Sequence, residues 1–240
     1  MSSADTRRTG RLIGVGVGPG DPALLTIRAI EVLRSADRVV APATAEDAVG
    51  RAEAIVREAL PGLRVERLVF DMTAGRVASH QVAAERLVTF LDAGEAVAFV
   101  TLGDPNIYST FSALVSAVLE RRPDLTTETV PGIMAFQELA ARAGVTLLDG
   151  TEHLRLVTAL EGTGPLEEAL GDPEGAVVVY KGGRHLPSIV AALDKAGRVD
   201  GAVFGELLGL PGERIGAAGE AGVGPACYLA TVIVPPSRHS

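Results

Sequence analysis

The chain has 240 residues, is 47% hydrophobic, and carries 22 Lys and Arg against 30 Asp and Glu for a formal net charge of −8. That length suits two domains, and with 4% aromatics and no Trp the cores must be built from Ala, Val, Leu and Ile. The acidic balance, with no basic run longer than Arg121-Arg122, argues against nucleic acid and against an anionic membrane surface. The single cysteine, Cys227, excludes an intrachain disulfide and paired-cysteine metal sites and points to a reducing cytoplasm; for the chemistry considered below no metal is expected.

The polar head, residues 1–10, has no apolar stretch and reads as a short tail rather than a signal peptide. No apolar run approaches the ~18 residues needed to span a bilayer. Residues 11–17 then predict a strand that ends in glycines. Residues 22–36 predict a helix in which Leu24, Ile27, Ile30 and Leu33 recur every third position, widened by Leu25 and Val32. Asp21 is placed to cap it and Pro22 suits its first turn. Strands follow at 38–41, 64–69, 96–101 and 126–130, with helices at 50–60, 77–93, 107–122 and 133–143. Strands separated by helices imply parallel pairing and a sheet covered on both faces. The unbroken apolar run 96–100 suits its centre.

A second block opens near His153, with strands at 154–159, 176–180, 201–206 and 226–234 and helices at 165–170 and 186–196. The last strand follows Gly224-Pro225 and is expected to run antiparallel to its neighbour. Small and turn residues at 144–151 place the boundary there. The fold class is therefore α/β with two α/β domains, 10–146 with a mostly parallel sheet and 152–236 with a mixed one.

Three strand-to-helix loops carry the chemistry. The first, Gly14-Val-Gly16-Val-Gly18-Pro19-Gly20-Asp21-Pro22, lies where open parallel sheets bind ligands. Its third dinucleotide glycine is missing from both possible frames, which read Pro19 or Asp21, and no Gly-Lys-Ser/Thr follows. Asp21 at a helix start would repel a phosphate. The loop therefore suits a neutral or cationic ligand, or is a tight turn alone. The second loop, Thr101-Leu102-Gly103-Asp104-Pro105-Asn106-Ile107-Tyr108-Ser109-Thr110, ends the most apolar strand. Asp104 there either faces a cation or caps a turn. The third, Val130-Pro131-Gly132-Ile133-Met134-Ala135-Phe136, has small residues against which a flat ring could lie, or is only a bent connection between strand and helix.

Taken in order, Gly18-Pro19-Gly20-Asp21-Pro22, Leu25-Thr26, Gly103-Asp104-Pro105, Val130-Pro131-Gly132, Tyr180-Lys181 and the closing Tyr228-Leu229-Ala230-Thr231-Val232 resemble the tetrapyrrole methylase family over nearly the whole chain. Residues 103–111 and 205–213 are similar to the branch that methylates precorrin-2 at carbon 20. The resemblance implies two α/β domains with S-adenosylmethionine bound in the cleft between them. It places donor contacts at Pro19, Leu102, Gly103, Asp104, Ile107, Met134, Ala135, Lys181 and Leu208. Many family members have Ser or Thr at the position of Met134, and the segment around Leu208 aligns loosely. A homodimer is also implied.

Methyl transfer to a ring carbon needs in-line positioning and exclusion of water, and a base within reach of the departing proton. Asp104, Tyr108 and Glu206 are the candidates for that base. His80, His153 and His185 are scattered and read as surface or structural, and His239 lies in the tail. The substrate's many carboxylates call for local cations, of which Arg184 is the first candidate and Arg28, Arg76 and Arg155 are weaker. Competing readings stay open. One is a sister methylase acting on uroporphyrinogen III, cobalt-factor II or a later precorrin. Another is a protein side-chain methylase such as diphthine synthase. A third is a non-catalytic nucleotide-binding module.

Overall fold

The computed structural model describes residues 9–70, 76–221 and 224–238, with the side chain of Arg76 also outside the description. Most of the predicted polar head, the Arg76 side chain and His239 thus lie outside the described residues. The chain falls into two compact units, Met1–Met134 and Ala135–Ser240.

The first unit is built on five strands, β1 Arg11–Gly16, β2 Arg38–Ala43, β3 Val65–Val69, β4 Ala96–Thr101 and β5 Thr126–Val130. They form one parallel sheet in the order β3-β2-β4-β1-β5. Helices α1 Ile27–Ser35 and α2 Arg51–Ala59 contribute to one core, and α3 Arg76–Asp92 and α4 Thr110–Leu119 to another. Alternation along the strands feeds both cores, as period-two geometry requires. Ile13, Val15, Ala98 and Val100 join Ala29, Leu33 and Ile55, whereas Leu12, Val97 and Phe99 join Leu87, Leu91 and Leu114. Every residue of β4 is buried, in keeping with its unbroken apolar run.

The second unit contains β6 His153–Thr158, β7 Gly175–Tyr180, β8 Val203–Glu206, β9 Arg214–Ala217 and β10 Ala230–Val234, with helices α5 Ala135–Ala143, α6 Gly164–Leu170 and α7 Leu186–Lys195. The sheet order is β6-β7-β10-β8-β9. β6 and β7 are parallel, and β10 is antiparallel to both its neighbours, as expected for the last strand. Helices α6 and α7 cover one face with Leu166, Leu186, Ile189 and Leu193. α5 packs across β8 and β10, so this helix belongs to the second unit and the small-residue stretch 144–151 lies inside it. Arg198 is 5% exposed and donates to the carbonyls of Asp172, Gly175 and Pro235 at 3.2, 2.9 and 2.7 Å. A buried guanidinium satisfied this way ties the start of β7 to the end of β10.

Several predicted elements end elsewhere, each for a local reason. Residues 22–36 are not one helix. Pro22–Leu24 form a 3₁₀ turn capped by Asp21, and a new helix starts after Thr26, whose hydroxyl accepts from Ala29 N at 3.1 Å. This restart rotates the buried stripe to Leu25, Ala29, Val32 and Leu33 and leaves Ile27 78% exposed. The helix predicted at 107–122 begins at Thr110, because Tyr108 takes φ 49° and Ser109 caps α4 through Phe111 N. The strand predicted at 226–234 begins at Ala230. The Ala226 amide donates instead to the Gly183 carbonyl, and the Cys227 amide to Glu206.

Candidate functional site

Because β4, β1 and β5 are neighbours, the three glycine-bearing loops emerge side by side at the carboxyl edge of the first sheet. Ligand crevices in open parallel sheets form at that edge. The first two loops continue to pair beyond their strands. Val17 N donates to Thr101 O at 3.0 Å, and Gly103 N to Gly18 O at 2.8 Å, closing an antiparallel bridge. The third loop closes on both. A Cβ on Gly132 would lie 2.1 Å from the Gly103 carbonyl oxygen and 2.8 Å from the Gly16 Cα. A Cβ on Gly16 would meet the same oxygen at 2.5 Å and Gly132 N at 2.6 Å. Three backbones meet at distances only glycine allows.

Asp104 locks this junction. It is 8% exposed, its Oδ1 accepts from Asn106 N at 2.8 Å, and its Oδ2 accepts from Gly132 N at 3.0 Å. Asn106 in turn donates to Thr129 Oγ1 at 3.2 Å, and the hydroxyls of Thr101 and Ser109 lie 3.0 Å apart. A buried carboxylate satisfied by backbone amides shapes a loop. Among the residues singled out from the sequence, Pro19, Gly103 and Met134 of the first unit are buried, Leu102 and Ile107 are half-buried and Tyr108 is 45% exposed; Ala135, which opens the second unit, is half-buried. Asp21 accepts from Ala23 N at 2.8 Å, so the turn after β1 already carries a carboxylate where a phosphate would otherwise dock.

In the second unit, Lys181 follows β7 and its ammonium stands 5.9 Å from the ring centroid of Tyr228. Arg184 is exposed in a short 3₁₀ turn, Gly183–His185. Glu206 ends β8, is 7% exposed, and its carboxylate accepts from Cys227 N at 2.9 Å and from Arg214 Nε. Burial works against the Glu206 charge, but the Cys227 amide and the Arg214 guanidinium outweigh it and hold the carboxyl below the usual glutamate range. Leu208 is 3% exposed, with its side chain beside Gly205. Glu213 closes this loop onto Gly209 N at 2.7 Å and pairs with Arg142 of α5 at 2.6 Å.

The Glu206 contacts set a pH dependence. A carboxyl with a depressed folded pKa contributes its full stability above the unfolded value and loses it as pH falls through the folded one. The expected outcome is that Glu206→Gln lowers the melting temperature near neutrality and flattens its decline as the pH falls below 4.5, the ordinary glutamate value. Melting curves of both chains across that range check it. Parallel curves mean that Glu206 does not contribute.

Among the described residues, the non-glycine positions with positive φ are Tyr108 at 49°, Lys181 at 57° and Leu207 at 53°. Each is, or directly adjoins, a residue singled out from the sequence. Strained backbone of this kind persists only where surrounding structure imposes it, and it clusters at functional sites. Sequence reasoning picked out Asp104, Tyr108, Lys181 and Leu208 but not Leu207, nor the Gly16–Gly132 contact, nor the Thr101–Ser109 pair. Repeated Gly-Pro and Pro-Gly steps were the only available signal for the glycine contact.

The family model for Tetrapyrrole (Corrin/Porphyrin) Methylases matches residues 11–221. A Precorrin-2 C(20)-methyltransferase from a Sinorhizobium species is 34% identical over 238 residues, 94% of this chain and 95% of that protein. The Cobalt-precorrin-2 C(20)-methyltransferase of Salmonella typhimurium is 32% identical over 85% of this chain and 86% of that protein. Among solved structures, the Thermus thermophilus Uroporphyrin-III C-methyl transferase complexed with S-adenyl homocysteine has the same fold. Its TM-score is 0.65 at 24% identity, covering 94% of this chain and 97% of that one.

Proposed function

We propose, since the chain belongs to the tetrapyrrole (corrin/porphyrin) methylase family, that it methylates precorrin-2 at carbon 20 with S-adenosylmethionine as the donor. The observation that carries this reading is the junction of Gly16, Gly103, Asp104 and Gly132 at the carboxyl edge of β4, β1 and β5. Its loops present backbone and small side chains, and Asp21 occupies the turn that a phosphate would seek. That chemistry fits a donor which carries a sulfonium cation and no phosphate, and which supplies an electrophilic methyl group.

Donor contacts are proposed at Pro19, Leu102, Gly103, Ile107, Met134 and Ala135, at Lys181 and at Leu208. Asp104 acts on the donor by shaping the loop. Holding the ring carbon in line and excluding water supplies most of the rate, and the electron-rich reduced macrocycle is its own nucleophile. Asp104 and Glu206 spend their carboxylate oxygens on N–H donors, which leaves Tyr108, 45% exposed, as the candidate among the three to relay the proton, its hydroxyl accepting it while passing its own to solvent. Arg184, exposed and without an ion pair among the described residues, is the candidate for the substrate's carboxylates. The proposal includes a homodimer in the cytoplasm; no helix among the described residues is long and apolar enough to cross a membrane.

Incubating the chain with precorrin-2 and S-adenosylmethionine labelled with carbon-13 in its methyl group should place the label on carbon 20, read by carbon-13 resonance. Label on another ring carbon, or mass gain with uroporphyrinogen III alone, overturns the assignment. A parallel incubation with cobalt-precorrin-2 tests the second reading, which the similarity to the Salmonella protein favours.

A further inference from the structure

Helix α5 starts after Met134, a residue with no side-chain oxygen to cap it. The first amides of a helix have no intrahelical acceptor, and a capping oxygen normally answers one of them. Here that oxygen comes from a distant strand. The phenolic oxygen of Tyr180 accepts from Phe136 N at 3.1 Å. Tyr180 is the last residue of β7, is 9% exposed, and is paired with Thr158 of β6 on one side and Thr231 of β10 on the other. Its backbone is therefore held by strands on both sides, and its ring is buried. The next residue, Lys181, adopts φ 57°, a conformation that its surroundings must impose. One side chain thus governs the first turn of α5, where Ala135 lies, and leads directly into the strained backbone at Lys181.

We infer that Tyr180 is a positioning residue for the methyl donor, its hydroxyl holding the start of α5 in register with Lys181. Both Ala135 and Lys181 are donor contacts proposed above, so the inference rests on that reading. Tyr180 itself touches neither donor nor substrate in this scheme. Its effect is on the geometry of the groups that do, and removing the hydroxyl loosens the first turn of α5 while leaving the ring packed.

The test uses S-adenosylhomocysteine as the probe, by calorimetry, on the full chain and on Tyr180→Phe. The substitution should weaken probe binding about five- to tenfold, the size of one hydrogen bond between neutral groups. In turnover it should raise KM for the donor by a similar factor and leave kcat within about twofold. Adding Met134→Ser to Tyr180→Phe places a hydroxyl at the capping position and should recover part of the lost affinity. Met134→Ser alone measures any direct effect of that hydroxyl on the probe. Unchanged affinity in Tyr180→Phe, with or without a lower melting temperature, reduces Tyr180 to a packing role and overturns the inference. No binding by the unaltered chain overturns the donor reading itself, and the inference falls with it.

Discussion

A Gly132→Ala chain should lose measurable affinity for S-adenosylhomocysteine and melt about 10 °C lower than the unaltered chain, corresponding to about 3 kcal/mol. The added Cβ meets the Gly103 oxygen at 2.1 Å and the Gly16 Cα and carbonyl carbon at 2.8 and 2.9 Å. All three are backbone atoms, so no rotamer change relieves the clash, and the loops must separate. Overpacking a side-chain core costs about 1–3 kcal/mol, and a backbone collision at the meeting point of three loops belongs at or above the top of that range. Gly216→Ala is the control, since a Cβ there has nothing within 4 Å. It should change melting and affinity little. Scanning fluorimetry and calorimetry on the three chains decide the matter, and a Gly132→Ala chain that matches the control would mean the loops do not meet as described.

Asp104→Asn should lower both stability and donor affinity, the former by about 2–4 kcal/mol and the latter at least tenfold. The carboxylate offers one oxygen to Asn106 N and the other to Gly132 N. Asparagine keeps the shape but turns one of those oxygens into an amide nitrogen, so a donor then faces a buried donor. The direction of the two effects separates two roles for Asp104. A proton acceptor would lose turnover on this substitution while keeping stability and probe affinity. The geometry instead calls for a joint loss, because the carboxylate is the tie between the second and third loops. Fluorimetry, calorimetry and a single-turnover assay on the same preparation distinguish them.

The parts of this molecule that follow from local chemistry were legible in its sequence. Residues 96–101 and 126–130 coincide with β4 and β5 because apolar or β-favouring runs there are bounded by turn residues. The antiparallel last strand was signalled by Gly224-Pro225. The helix over 22–36 was misjudged because Thr26 offers a cap that restarts the helix, and a periodicity count does not register where a cap resets the phase. Strand β9, Arg-Ile-Gly-Ala, has one large apolar residue and no alternation to betray it. Gly16, Gly103 and Gly132 were visible as glycines, but their mutual contact depends on the strand order β4-β1-β5, which no short segment encodes. The left-handed backbone at Tyr108, Lys181 and Leu207 involves residues that do not favour it, so it arises only from tertiary context. The same holds for Tyr180, whose partner lies forty-four positions earlier in the chain.

The strand order has a further consequence for how the molecule is made. β1 precedes both strands that flank it, β4 and β5, by most of the length of the first unit, so it is synthesised well before either of them. Until they arrive, Leu12, Ile13 and Val15 belong to a strand with two open edges, the kind of surface that recruits other chains. Pairings this distant in sequence are slow to form. The ligand-facing loops can therefore take shape only once both edges of β1 have been enclosed, so that a nascent chain acquires its chemistry at the same moment as it loses those open edges.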